Sequence, residues 1–205
     1  MDKPILVNLP EFLDNRGVLT FVEEEKHIPF KIHSVYSIKP ENIRLNLPAD
    51  SFIVTPGDKY GYLIPQNHEF DIKDSNSGII VLSSAKINGI EALSAPFRVK
   101  RAYFITGIPP HQTRGSHAHR VTAQMIFAVK GSFSVTLDNG EASTTVMLAK
   151  DCNPVHIPDG IWHTLDNFSP DAVCLVLASE LYSDDDYIRD YRDFIEFRKM
   201  AACDD

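Results

Sequence analysis

The chain contains no run of 18 apolar residues, and its opening stretch, MDKPILVNLPEF, has no apolar segment followed by a cleavage site. Neither a membrane-spanning helix nor a secretory leader is expected, so the sequence reads as cytoplasmic. Basic residues are in deficit, with 20 Lys and Arg against 28 Asp and Glu and a formal charge of -8. That balance argues against a general binder of nucleic acid or of anionic membranes. Cysteine is scarce: Cys152, Cys174 and Cys203 are widely spaced and odd in number. Such usage excludes a disulfide framework and fits reduced thiols. Apolar residues, by contrast, make up 43% of 205 positions, enough to bury a full core in one or two small domains.

From about residue 97 the chain alternates short apolar runs with turn signals: RVKRAYFITGI, TAQMIFAVKG, SFSVTLDNG, STTVMLAKD, NPVHIPDG, WHTLDNFS and AVCLVLASEL. Short strands with tight turns predict an all-β sandwich or barrel. Asp138-Asn139-Gly140 reads as a hairpin with a type I′ turn, because Asn-Gly supplies the positive φ angles. Toward the C-terminus the period changes. Ser183 reads as an N-cap, Asp184, Asp185 and Asp186 as an acidic first turn, and Tyr187, Ile188, Tyr191, Phe194 and Ile195 as the apolar stripe of one helix.

Two motifs carry chemistry. Arg114-Gly-Ser-His117-Ala-His119 contains an H-x-H pair, and Pro158-Asp-Gly-Ile-Trp162-His163, closed by Asn167, spells P-x-G-x-x-H-x-x-x-N. Together they mark a cupin barrel, a jelly roll whose interior holds the site. The period of 2 along a strand turns both imidazoles of the pair to one face, and His163 is expected to join them from a facing strand. Gln124 stands where metal-binding cupins place a carboxylate. An amide oxygen is a neutral, weak ligand, so the reading is of no metal; if one is present, its ligands are His117, His119, Gln124 and His163. Without a metal, paired imidazoles suit general acid/base work.

The first 95 residues echo the rest. Pro29-Phe-Lys-Ile-His-Ser-Val-Tyr-Ser-Ile38 parallels Pro96-Phe-Arg-Val-Lys-Arg-Ala-Tyr-Phe-Ile105, Leu63-Ile64-Pro65 parallels His156-Ile157-Pro158, and Val81-Leu-Ser-Ser84 parallels Val176-Leu-Ala-Ser179. The offset grows from 67 to 93 to 95. This predicts a tandem: a degenerate cupin-like half over 1–95 that has lost its histidine-bearing hairpin, and an intact cupin domain with a C-terminal helix over 96–205. A single barrel with a long insertion is the competing organisation.

The segments RAYFITGIPPHQTRGSHAHR, VKGSFSVTLDNG and IPDGIWHTLDNFSPDAVCLVLASELYSDDDYIRDYRDF resemble the nucleotide-linked sugar 3,4-ketoisomerases, the cupin family acting on dTDP-4-keto-6-deoxyglucose. The resemblance covers roughly 97–197, and Leu13-Asp-Asn-Arg16-Gly is similar to that family's opening strand. It implies isomerisation of a dTDP-linked 4-keto sugar to the 3-keto sugar through an enediol, without cofactor, in amino-sugar synthesis for a surface polysaccharide. Carried over by position, His117 and His119 become base and proton donor, and Tyr103 a donor to the keto oxygen. Arg114 becomes the diphosphate contact and Arg101 a second one; Gln124, His163, Trp162 and Arg16 complete the substrate-binding set. Barrel edges left open by a missing hairpin favour a homodimer. A metal-dependent cupin enzyme and a non-catalytic sugar-nucleotide binding module are the competing functions.

Overall fold

The computed structural model describes residues 4–38, 43–56, 58–72, 79–87 and 90–201. Strands dominate, as the alternating runs predict. The first part contains β1 (Ile5–Asn8), β2 (Glu11–Asp14), β3 (Gly17–Glu23), β4 (Ser34–Ile38), β5 (Ile43–Leu47), β6 (Ser51–Val54), β7 (Tyr60–Ile64), β8 (His68–Ile72) and β9 (Ile79–Ser83). The second contains β10 (Arg101–Thr106), β11 (Arg114–His119), β12 (Gln124–Lys130), β13 (Ser132–Asp138), β14 (Ser143–Ala149), β15 (Val155–Ile157), β16 (Trp162–Asp166) and β17 (Val173–Ala178). Two-residue β18 (Tyr187–Ile188) and helix α1 (Tyr191–Ala201) follow.

These strands build four sheets. The first runs β1-β7-β6-β9-β4 and the second β15-β12-β17-β10-β3-β2, while the third runs β14-β13-β16-β11-β18 and β5 pairs with β8 alone. Three apolar clusters lie between successive layers. Tyr36, Ile53 and Val81 of the first sheet meet Leu45 and Leu47 of β5. The other face of the first sheet, with Phe52, Ile80 and Leu82, packs on Ala102, Phe104, Leu175 and Leu177 of the second sheet. The opposite face of the second sheet, with Ile105, Ile126 and Val176, closes on Phe133, Val135 and Leu165 of the third. Central strands β9 and β17 are buried at every residue, which is why IIVLS and VCLVLA read as unbroken apolar runs instead of alternating ones.

The second and third sheets form the expected cupin-like barrel, and the boundary at residue 95 needs revision. Strands β2 and β3 extend the second sheet, with β3 paired along β10 from Val18↔Thr106 to Glu23↔Arg101. The chain thus starts in the first sheet with β1, crosses to the edge of the barrel and returns at β4. Nothing in the local pattern of GVLTFVE specifies which of two sheets it joins, because pairing partners are a long-range choice.

Two local expectations also change. Asp138 pairs with Ser143, so residues 139–142 form a four-residue connection in which Asn139 Oδ1 accepts from the Glu141 and Ala142 amides at 2.9 and 2.8 Å. Asn139 acts by side-chain bonding, an Asx-type turn, in place of a two-residue I′ loop. The helix begins later than Ser183: Asp184–Asp186 is a single 3-10 turn, and Asp190 caps α1 by accepting from the Arg192 and Asp193 amides. Cys174 is buried and Cys152 exposed, both free, and Cys203 lies outside the described residues. No described helix is long and apolar enough to cross a membrane.

Candidate active site

The H-x-H strand reaches its geometry through a bulge. Between Gly115 and His117 the register with β16 shifts, and Gly115 and Ser116 take positive φ of 78° and 57°. A Cβ on Gly115 would lie 2.8 Å from the His163 carbonyl oxygen, so close approach as well as φ calls for glycine. Beyond the bulge His117 lies directly across from His163. His163 therefore arrives from the neighbouring strand of the same sheet and not from a facing one. The rings of His117 and His163 are 4.5 Å apart, and His117 Nε2 is 3.2 Å from His119 Nε2.

Behind His119 stands the carboxylate of Asp186, which by sequence is expected in the acidic first turn of a helix. Asp186 Oδ2 is 2.7 Å from His119 Nδ1, both residues being buried. The same carboxylate accepts from Thr122 Oγ1 at 2.5 Å and from the Val121 amide at 2.8 Å. Burial opposes its ionisation, yet these donors hold the Asp186 carboxyl below the usual range. An ionised carboxylate can only accept, which places a proton on His119 Nδ1 and leaves Nε2 as a lone pair. Gln124 Nε2 lies 2.9 Å from that nitrogen and 3.0 Å from the Tyr103 hydroxyl. One amide thus ties the candidate base to the candidate phenol.

Burial pushes the His119 imidazole down, with the Asp186 contact opposing it. His117 is held well below 6.5 by burial and by its two histidine neighbours, and burial brings His163 to about 3. His163 therefore stays neutral near pH 7. Burial raises the Tyr103 phenol and keeps it protonated.

The rim comes from β18 and the loop before it. The Tyr187 ring sits 4.4 Å from His119 and 4.8 Å from His117, and the Arg189 guanidinium lies 4.4 Å from its centroid. Arg101, buried, stacks near Tyr103 and Tyr182 at 5.4 and 5.7 Å. The loop is pinned from β3, where fully buried Glu23 accepts from the Tyr182 amide at 2.5 Å. Three polar side-chain groups here keep unused bonding capacity: Arg101 Nε, Gln124 Oε1, and Arg114 through Nε and Nη2. Buried polar atoms are rarely left unpaired, so these mark where a polar ligand would sit.

Arg114 opens β11 and lies 3.6 Å from Asp14, which Arg16 clasps at 2.6 Å across the turn between β2 and β3. The sequence-named residues His117, His119, Tyr103, Gln124 and His163 are thereby brought together, with Arg101 at their edge. Trp162 is not among them. Its ring contacts Tyr191 and Phe194 of α1 at 5.2 and 5.6 Å, because alternation along β16 turns it away from its inward neighbour His163. Asp186, Tyr187, Tyr182, Arg189 and Glu23 are the residues that motif reading missed. The available signal is the tail SDDDYIRDY, whose apolar spacing mimics a helix although its first part forms a 3-10 turn and β18.

The nitrogens of His117, His119 and His163 lie within 4.8 Å of one another and could hold a divalent ion with neutral ligands only. Closing on one would draw them to about 3.3 Å apart, the edge of a tetrahedral site, and would turn the Gln124 amide from its bonds to His119 and Tyr103. As it stands, the Gln124 amide donates to both His119 Nε2 and the Tyr103 hydroxyl.

Known proteins resemble this chain over the same region. The TDP-4-oxo-6-deoxy-alpha-D-glucose-3,4-oxoisomerase of Aneurinibacillus thermoaerophilus is 32% identical over 126 residues, covering 62% of this chain and 86% of that protein. The X-ray structure of WlaRA, a TDP-fucose-3,4-ketoisomerase from Campylobacter jejuni, superposes with a TM-score of 0.51 at 28% identity, over 56% of this chain and 88% of that one. A family profile described as FdtA: WxcM-like, C-terminal matches residues 63–199, and the chain belongs to that family.

Proposed function

We propose that the protein is a dTDP-sugar 3,4-ketoisomerase that converts a dTDP-4-keto-6-deoxyhexose to its 3-keto isomer. The observation that carries this reading is the buried Asp186–His119 pair, whose unprotonated Nε2 meets the Gln124 amide that also reaches Tyr103. A proton next to a carbonyl is acidic enough to be removed when a base is within reach and the developing oxyanion is stabilised. His119 Nε2 takes the C3 proton as the C4 carbonyl becomes an enediolate, and the ionised Asp186 balances the imidazolium. The protonated Tyr103 phenol donates to the O4 oxyanion. A proton then passes between the two enediol oxygens, and C4 receives a proton from His119 or His117 as the C3 oxygen becomes the carbonyl. Oxidation at C3 matches reduction at C4, so the step consumes no redox cofactor.

The nucleotide end would be held by charge. Arg114, whose Nε and Nη2 make no hydrogen bond although Asp14 lies 3.6 Å from Nη2, suits a charge-assisted, bidentate contact with the diphosphate. Arg16 and Arg101 supply further cations at the two ends of the barrel strands, and His163 lines the sugar pocket. The product would feed amino-sugar synthesis for a surface polysaccharide.

Proton NMR of the metal-stripped protein with dTDP-4-keto-6-deoxyglucose in D2O tests the reading. A 3-keto product carrying deuterium at C4 is expected. Folded protein that leaves the substrate unchanged, with no exchange at C3, would overturn it for this substrate. Activity that appears only on adding a divalent metal would move the assignment to a metal-dependent cupin enzyme using the three histidines.

A further inference from the structure

Four strands of the first sheet repeat four of the second, register for register. The order β7-β6-β9-β4 in one matches β15-β12-β17-β10 in the other. Tyr36 pairs with Val81 as Tyr103 pairs with Val176, at the offsets of 67 and 95 seen in the sequence. Ser51 pairs with Ser83 on one side and Ile64 on the other, as Gln124 pairs with Ala178 and Ile157. The offset for this third strand is 73, and the other two sites again give 95 and 93. Four strands hold one register, so chance similarity of Val- and Ile-rich segments does not account for the match.

The correspondence also shows where the first unit is shorter. Most of the deficit falls between β6 and β7, where residues 55–59 span what β13 and β14 span between β12 and β15. The histidine strand itself keeps a counterpart: β5 pairs with β8 as β11 pairs with β16, but its sequence, IRLNL, has no histidine. The missing hairpin is therefore the β13–β14 one, and not the histidine-bearing hairpin that the sequence suggested.

The faces correspond as well. Tyr36, Ile38, Ile53 and Val81 line the interior of the first unit, and their equivalents Tyr103, Ile105, Ile126 and Val176 line the interior of the second. The outward positions of both sheets meet in one shared cluster: Val35 with Ala102, Ile80 with Leu175, Leu82 with Leu177, and Phe52 with Met125 are equivalent pairs within it. Two copies of one sheet, joined through the same residues of each, make the contact that an isologous pair of subunits would make.

We infer that the first unit is a second barrel without a site, built into the chain in the place a partner subunit would take, so that one chain with one site is the working particle. Among the described residues its interior leaves no buried side-chain polar atom without a partner. The Tyr36 hydroxyl accepts from the Ile87 amide at 2.7 Å, and Ser51 and Ser83, the latter across from it, bond to each other at 3.2 Å. The equivalent positions Tyr103 and Gln124 leave an amide oxygen free for a ligand. Because the first sheet already covers the outer face of the second, that face is closed to another chain, and the homodimer suggested by an open barrel edge loses its principal apolar surface.

Light scattering and native mass spectrometry of the full chain with dTDP test this; the choice of dTDP rests on the isomerase reading. Expected is a single species of 23.0 kDa from dilute to concentrated solution, binding one dTDP per chain. A particle of two chains overturns the inference, and so does binding of two dTDP per chain. A one-chain particle that binds no dTDP upholds the built-in partner and counts against the ligand reading alone.

Discussion

The two units share a four-strand pattern, a register and a pair of tyrosines, yet among the described residues only one gathers buried histidines. In the first, Tyr36 is fully buried and its hydroxyl is consumed by a backbone amide. In the second, Tyr103 shares an amide with a histidine whose far side is braced by Asp186. The scaffold is thus indifferent to function. What differs is the set of inward polar groups, the strand that carries them, and the β18 segment that closes over them. Apolar filling of the first interior by Leu45, Leu47 and Ile87 stabilises that unit, whereas the second accepts unpaired buried groups as the cost of a site.

The largest break of the comparison comes from removing the base. His119→Asn should lower turnover by about 10^3 to 10^4-fold while the fold persists, and Asp186→Asn should approach the same loss by freeing the wrong tautomer. Their kcat, with far-UV circular dichroism as the control for folding, checks both. A variant of Asp186 that turns over normally would remove it from the mechanism.

Equivalent core positions give the next effect. Leu82→Ala and Leu177→Ala, both fully buried in the shared cluster, should each cost about 2 to 5 kcal/mol in denaturant unfolding. If the units unfold together, either change shifts one common transition. Two separated transitions, with Leu82→Ala moving only one of them, would show that the units are energetically independent.

Acid should act on the second unit. His163 has its pKa lowered to about 3, and that of His117 is also lowered. The unfolded chain therefore binds protons from about pH 6.5 downward while these groups stay neutral in the fold. Their contribution is full above pH 6.5 and is lost as pH falls toward the folded values. Asp186, also lowered, loses its contribution below the ordinary carboxylate range, in the same direction. Stability should fall by on the order of 3 kcal/mol between pH 7 and pH 4 from His163 alone, and His163→Asn should flatten that slope in thermal unfolding.

The sharpest contrast is the smallest. Tyr103→Phe should cut kcat about 10- to 100-fold with little loss of stability, by removing a donor to the oxyanion. Tyr36→Phe should leave kcat unchanged and cost about 1 kcal/mol, the worth of one buried hydrogen bond whose amide partner is left unpaired. Urea midpoints and kcat measured on the pair would separate a working tyrosine from its structural counterpart.

By itself the sequence determined the strand-rich class, the cupin barrel, the three histidines and the three offsets between the halves. Each is a matter of residue type at short spacing, and strand alternation converts spacing into a face. Motif spacing put Gln124 at the site, and the family resemblance put Tyr103 there. Only the tertiary structure decided that β3 joins the second sheet, that Trp162 turns outward under α1, and that Asp186 stands behind His119. The reason is common to all three. Asp186 lies 67 residues from its histidine, and a carboxylate in an acidic triplet has the local signature of a helix's first turn. Which partner it meets is set by long-range pairing of β18 with β11, a contact with no trace in either segment's own pattern.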